Sequence, residues 1–193
     1  RRVNVKQGRA LVVSGPSGVG KTTVVEKLLT TPGFARAVTA TTRSPREGEV
    51  DGTDYLFLSR EDFLGRVERG EFLEHAVVHD RLYGTPRRHV EEILERGDVC
   101  ILNVDVQGGA AVRERREDAF LVFLTAPSDE ELERRLRGRG TEEEEVVARR
   151  LAAARRELTR RDEYDVTVVN DDLDRAVEEI RSRVEATRRD LRS

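Results

Sequence analysis

The chain is poor in several things, and each shortage excludes something. It has one cysteine, Cys100, in 193 residues, so a disulfide framework is excluded. Cys100 sits inside an apolar run, which predicts a small buried hydrophobe. No apolar stretch approaches the roughly 18 residues of a membrane span, and no leader-like segment is visible. A cytoplasmic protein with no membrane partner is therefore expected. An initiating methionine is also missing, so a trimmed N-terminus is expected, with residues 1–9 frayed. Hydrophobic residues make up only 37%, low but sufficient for a core. Charged residues reach 38%, yet the net charge is only −3. That balance leaves no general polyanion-binding surface, and nucleic acid is not expected as a partner. No internal repeat and no second domain are visible, and the length fits one domain.

What is present begins with Gly15-Pro16-Ser17-Gly18-Val19-Gly20-Lys21-Thr22-Thr23, which matches G-x-x-x-x-G-K-[ST]. The apolar run Ala10-Leu11-Val12-Val13 before it reads as a buried strand. Residues 22–31 after it read as a helix with Val24, Val25, Leu28 and Leu29 on one face. Three glycines let the backbone close into a ring of inward N–H groups at a helix N-terminus, where anionic phosphate settles. Lys21 adds a charge for the β- and γ-phosphates, and the Thr22 hydroxyl is a Mg²⁺ ligand candidate. Such a loop predicts binding of a nucleoside triphosphate without specifying the reaction.

The rest of the chain alternates strands and helices. Residues 99–105 form an apolar run ending in Asp105, the pattern of a central parallel strand buried on both faces. Its carboxyl end is where a doubly wound sheet places ligands, so Asp105 is either a Mg²⁺ ligand or a helix N-cap. Residues 120–125 and 166–169 read as further strands. Ser59 with Asp62, Ser128 with Glu131 and Thr141 with Glu144 read as helix N-terminal caps. The alternation predicts an α/β fold, a parallel sheet flanked by helices. It is broken between 41 and 79, where short strands (37–41, 55–58, 72–79, 82–83) suggest a small inserted mixed sheet. Residues 41–55 are almost free of apolar side chains. They read either as a solvated loop or as a functional one, since Arg43, Arg46 and Tyr55 suit a phosphate dianion. Arginines 134, 135, 137, 139, 149 and 150 flank Gly138 and Gly140. They read as a solvated face paired with glutamates, or as a lid over the phosphates.

Taken together, Gly15 to Thr22, Thr42-Arg43-Ser44-Pro45-Arg46, Gly48-Glu49, Gly52, Asp54-Tyr55, Glu71-Phe72-Leu73-Glu74, Tyr83-Gly84-Thr85, Asp105-Val106-Gln107-Gly108, Gly138-Arg139-Gly140-Thr141 and Val169-Asn170-Asp171-Asp172 occur in order. The set resembles guanylate kinase, from about Gly8 to the C-terminal helix. The resemblance implies transfer of the γ-phosphoryl group of ATP to GMP, with dGMP as a further acceptor and Mg²⁺ as cofactor. It implies a P-loop core (8–38, 97–136 and 151–193), a GMP-binding insertion (39–96) and a lid (137–150). By the same resemblance Arg43, Arg46, Tyr55 and Tyr83 would hold the GMP phosphate, and Thr39, Glu74 and Thr85 would read guanine. Gly15, Ser17, Gly18, Val19, Gly20, Lys21, Thr22, Thr23 and Asn170 would hold ATP, and Thr22 and Asp105 the metal. Lys21, Arg43, Arg135, Arg139 and Arg150 would carry transfer.

The chemistry is consistent with these roles. Guanine offers N1–H and N2–H₂ as adjacent donors, which one carboxylate can accept, whereas adenine N1 would face its lone pairs. Two departures stand out: Thr39 stands where serine is common, and Asn103 where the family usually has an acid. Two other readings fit parts of the pattern. A catalytically inactive guanylate-kinase-like interaction module would be expected to lose the phosphate loop. A P-loop kinase for another acceptor would lack the 42–55 pattern together with Glu74.

Overall fold

The computed structural model describes residues 8–78, 80–138 and 144–190. Its centre is β1 (Arg9–Ser14), whose side chains are buried on both faces beyond Arg9. Alternation sends Leu11 and Val13 into one core and Ala10 and Val12 into another. β1 lies in a five-stranded sheet with β2 (Phe34–Arg36), β7 (Val99–Asn103), β8 (Phe120–Thr125) and β9 (Val166–Val169). The order is β2-β7-β1-β8-β9, and every pairing is parallel.

On one face pack α1 (Lys21–Leu29), α5 (Asp129–Arg137), α6 (Glu144–Leu158) and α7 (Leu173–Asp190). They contribute Val24, Leu28, Leu136, Ala154, Ile180 and Val184. The other face is covered by α3 (Arg87–Glu95) through Val90, Ile93 and Leu94, and by α4 (Val106–Arg115) through Val112. Cys100 is buried in this second core, as expected, and burial pushes its thiol up to about 12.

A second sheet has the order β4-β3-β6-β5, built from β3 (Ala40–Thr41), β4 (Leu56–Phe57), β5 (Phe72–Val78) and β6 (Arg81–Pro86). Only β3 and β4 pair parallel. Its small core is closed by α2 (Arg60–Glu68), where Phe63 stacks on Phe72 at 4.4 Å between centroids.

Several expectations change. Of the strand expected over 37–41 only 40–41 forms, as β3 of the second sheet; β2 of the first sheet lies before it, and residues 37–39 carry the chain between the two. Arg9 is not frayed but pairs with Val99, and Gly8 is buried so closely on Leu94 that a Cβ there would lie 2.2 Å from its carbonyl oxygen. The caps at Ser59 and Ser128 form, with Asp62 N–H donating at 3.0 Å and Glu131 N–H at 3.2 Å. Thr141 lies outside the described residues, as does His79. Residues 41–55 form a largely exposed loop held by its own hydrogen bonds. Val50 N–H donates to Asp54 Oδ2 (2.7 Å), Gly52 N–H to the Tyr55 carbonyl (2.8 Å) and Phe57 N–H to Asp51 Oδ1 (2.9 Å).

Candidate active site

β1 ends at Ser14, and the chain turns into α1 through the loop. Gly15 has φ 144°, and a Cβ there would sit 2.1 Å from the Leu124 carbonyl oxygen, so the loop lies on the β8 backbone. Gly20, at φ 89°, is the N-cap of α1 and brings no side chain to cap it; the first turn carries no acid. The helix therefore presents unfilled N–H groups and its positive end to whatever lies in the loop. Thr22 and Thr23 are exposed at that end. Val19 turns its side chain into the core and offers the site only backbone.

Lys21 folds back over the loop, donating to the carbonyl oxygens of Gly15 and Pro16. Burial lowers its pKa, and Glu157 and Asp105 oppose that shift. Asn170 braces the loop from outside, its Nδ2 donating to the Val19 carbonyl at 2.8 Å. Arg135 in turn donates from Nη2 to the Asn170 carbonyl (2.9 Å), while its Nε pairs with Glu131 at 2.7 Å. Arg150 Nη2 reaches Ser17 Oγ at 3.4 Å.

Arg134 and Arg137 pair with glutamates on the surface, and Arg135 and Arg150 approach the loop. Arg139 and Gly140 lie outside the described residues. Gly138 ends α5 at φ −68°, an ordinary right-handed conformation.

The second half of the site is a cavity of about 320 Å³ between the two sheets. Glu74, Tyr83 and Thr85 line it from the second sheet, Thr39 and Tyr55 from the residues just before β3 and β4, and Asn103 and Asp105 from the end of β7 and the turn after it. Glu74 and Thr85 face each other across β5 and β6 next to a bulge. Glu74 is only 6% exposed, and Thr85 Oγ1 donates to its Oε1 at 2.6 Å. Burial raises the Glu74 pKa, the Thr85 hydrogen bond lowers it, and Asp105 raises it further.

At the outer end of the cavity, Arg43 lies over the Tyr55 ring at 5.2 Å, and Tyr55 meets Tyr83 edge-on at 6.4 Å. The Arg43 fork is bidentate to Glu49, at 2.8 and 3.0 Å. Glu49 also accepts from the Arg46 backbone N–H at 2.6 Å, and these contacts hold its carboxyl below the usual range. The Arg46 side chain is exposed, with no hydrogen bond or ion pair among the described residues.

Asp105 joins the halves. It lines the cavity and lies close enough to act electrostatically on both Lys21 and Glu74. It is also the N-cap of α4, its Oδ1 accepting from Gly108 N–H at 2.8 Å. Two residues given no role from the sequence matter here. Glu49 organises the arginine loop, and its spacing three after Arg46 and six after Arg43 was the available signal. Glu157 approaches the phosphate loop from α6, and nothing in its local sequence marks it.

The guanylate kinase family model matches residues 7–187. A guanylate kinase of Rubrobacter xylanophilus is 52% identical over 177 residues, covering 91% of this chain and 93% of its own. One of Symbiobacterium thermophilum is 49% identical over 180 residues, covering 93% and 85%. Among solved structures, a guanylate kinase of Anaplasma phagocytophilum superposes with TM-score 0.72 at 34% identity, covering 95% of this chain and 87% of that one. A gluconokinase of Sinorhizobium meliloti, at 18% identity and TM-score 0.52, shares the fold alone.

Proposed function

This chain belongs to the guanylate kinase family, and from that premise we propose that it transfers the γ-phosphoryl group of ATP to GMP, giving ADP and GDP. The observation that carries the reading is the buried Glu74–Thr85 pair in a cavity that Asp105 links to the phosphate loop. The loop N–H groups and Lys21 take the triphosphate. Arg43, Arg46, Tyr55 and Tyr83 hold the acceptor phosphate at the outer end of the cavity, and Glu74 takes the two adjacent donors of guanine. Because the Thr85 hydroxyl donates to Glu74, it fixes the carboxylate, and Thr39 is the hydroxyl left to meet guanine O6.

Phosphoryl transfer asks for alignment and positive charge more than for a base. Arg135 and Arg150 stand beside the loop to supply charge, with Arg139 completing a lid over 137–150. The core and the 39–96 insertion each hold one nucleotide, and their approach excludes water. Mg²⁺ fits the oxygen donors present: the exposed Thr22 hydroxyl and Asp105 Oδ2, which no hydrogen bond engages among the described residues. When bound it neutralises phosphate charge. Among the described residues no group of three or more His, Cys, Asp or Glu forms a separate metal cage. A coupled assay with ATP and Mg²⁺ tests the reading, with GMP, dGMP, AMP, CMP and UMP as acceptors. Strong turnover of GMP and dGMP is expected, and comparable turnover of AMP would overturn the assignment.

A further inference from the structure

At the start of the phosphate loop, on the face covered by α4, two hydroxyl groups share one small space. Ser14 and Phe123 are partners in the pairing of β1 with β8, so their side chains leave the sheet side by side on one face. Tyr164, just before β9, sets its ring edge-on against the Phe123 ring at 5.2 Å between centroids. Its hydroxyl reaches α4 beside Ser14: a Cβ on Gly109 would lie 2.5 Å from Tyr164 Oη and 3.1 Å from Ser14 Oγ. The two oxygens leave room for glycine alone, although glycine weakens a helix interior.

The Ser14 hydroxyl has a task. Its Oγ donates to the Asp105 carbonyl at 3.3 Å, and that carbonyl also accepts from Gly109 N–H at 2.9 Å. Ser14 is thus tied to the residue that joins the two halves of the site, and Gly15, where the loop begins, follows it directly. The Tyr164 hydroxyl is buried and has no hydrogen-bond partner among the described residues. Ser14 lies near enough to draw the phenol pKa down against burial, yet the two hydroxyls do not meet in hydrogen-bonding geometry. A phenylalanine would fill the same space and pack on Phe123 without burying an unpaired donor.

We propose that Tyr164 is a positioning residue whose hydroxyl gains its partner when the loop fills. Oη then donates to Ser14 Oγ and completes a chain from Tyr164 through Ser14 to the Asp105 carbonyl, which fixes the start of the loop. Lys21 donates here to the carbonyls of Gly15 and Pro16. A polyphosphate draws that ammonium to itself and releases Gly15, the neighbour of Ser14, and the two hydroxyls close up. The proposal rests on the reading of the loop as the triphosphate site.

The full chain is compared as unaltered protein, Tyr164→Phe, Ser14→Ala, the double variant and Lys21→Ala. The melting temperature is read without nucleotide, and the dissociation constant for Mg²⁺-free ATP is read by calorimetry. Tyr164→Phe removes an unpaired group from the empty form, so its Tm should rise by about 2 °C. It also removes a bond from the filled form, so ATP should bind about five- to tenfold more weakly. Damage to packing alone would lower both stability and affinity. In the Ser14→Ala background the same substitution should leave ATP binding unchanged, because the acceptor is already gone. The positioning role is overturned if Tyr164→Phe binds ATP as tightly as the unaltered protein, or if its loss is equal in both backgrounds. It is overturned as well by a Tm that fails to rise, which would show the hydroxyl already paired, as through a buried water. Lys21→Ala should lose most of the binding; unchanged binding there would overturn the loop as the triphosphate site, whatever Tyr164→Phe does.

Discussion

The two halves of the site are built on opposite plans. The loop at 15–23 works through backbone: glycines at positive φ, a helix end without a capping side chain, and one lysine. The cavity between the sheets works through side chains drawn from Thr39 to Asp105, on five separate stretches of chain. A backbone site depends on local conformation, so nine consecutive residues specify it. It also recognises nothing beyond phosphate. A side-chain site depends on which strands become neighbours, and it can tell one base from another. The first half is generic and legible; the second is specific and dispersed.

The widest separation of the halves should come from Lys21→Ala. Loss of its charge from the transition state should cost on the order of 3 kcal/mol, about a hundredfold in kcat. Since Lys21 lies outside the cavity lining, the dissociation constant for GMP alone should hardly move. Loss of GMP binding would mean that the halves are not separable.

Next in size is Glu74→Gln, which breaks the specific half alone. The amide sets a donor against one guanine donor, and an unsatisfied buried group costs about 1–3 kcal/mol. GMP should lose roughly ten- to a hundredfold in kcat/KM, while AMP holds or gains. Titration of both proteins sharpens the point. If Glu74 reads guanine it accepts in its ionised form, and its pKa is raised, so kcat/KM for GMP should fall as pH drops through a limb above the usual Glu value of about 4.3. That limb should vanish in the variant. An unchanged GMP:AMP ratio would leave base choice to other groups.

Arg43→Lys probes the margin between the halves. Lysine keeps the charge but loses the fork that Glu49 holds and the planar face over Tyr55. Roughly a tenfold rise in the GMP KM is expected, with the ATP KM unchanged. Equal damage to both substrates would show that the arginine is not dedicated to the acceptor.

These contrasts also explain what was legible. The parallel sheet and the phosphate loop follow from periodicity and spacing, both local. The order of β7 and β8 around β1 and the passage of the chain from the first sheet at 34–36 to the second at 40–41 are tertiary outcomes with no local signal. Glu74 could be singled out only through the resemblance, because a carboxylate on a short strand is usually a surface group. Its burial and its bond to Thr85 come from the pairing of β5 with β6. Composition marks Arg43 as suited to phosphate but not that Glu49 holds its fork; the spacing is visible, and the folding of the loop that exploits it is not.

The smallest effect should come from Thr85→Val, which tests whether Thr85 acts on guanine directly or through Glu74. Valine keeps the shape and removes the hydroxyl that donates to Glu74 Oε1. That bond favours the ionised carboxylate, so without it burial raises the Glu74 pKa further. The acid limb for GMP should therefore move to higher pH. Well above the limb nearly all Glu74 is ionised in both proteins, and only the looser carboxylate should be felt, a loss of about threefold in kcat/KM. Within the limb the fraction ionised also differs, and the gap should widen to about tenfold. If Thr85 instead donated to guanine O6, the loss would be the same at every pH and the limb would stay in place. A uniform loss of GMP activity with an unmoved limb would therefore return Thr85 to direct reading of the base.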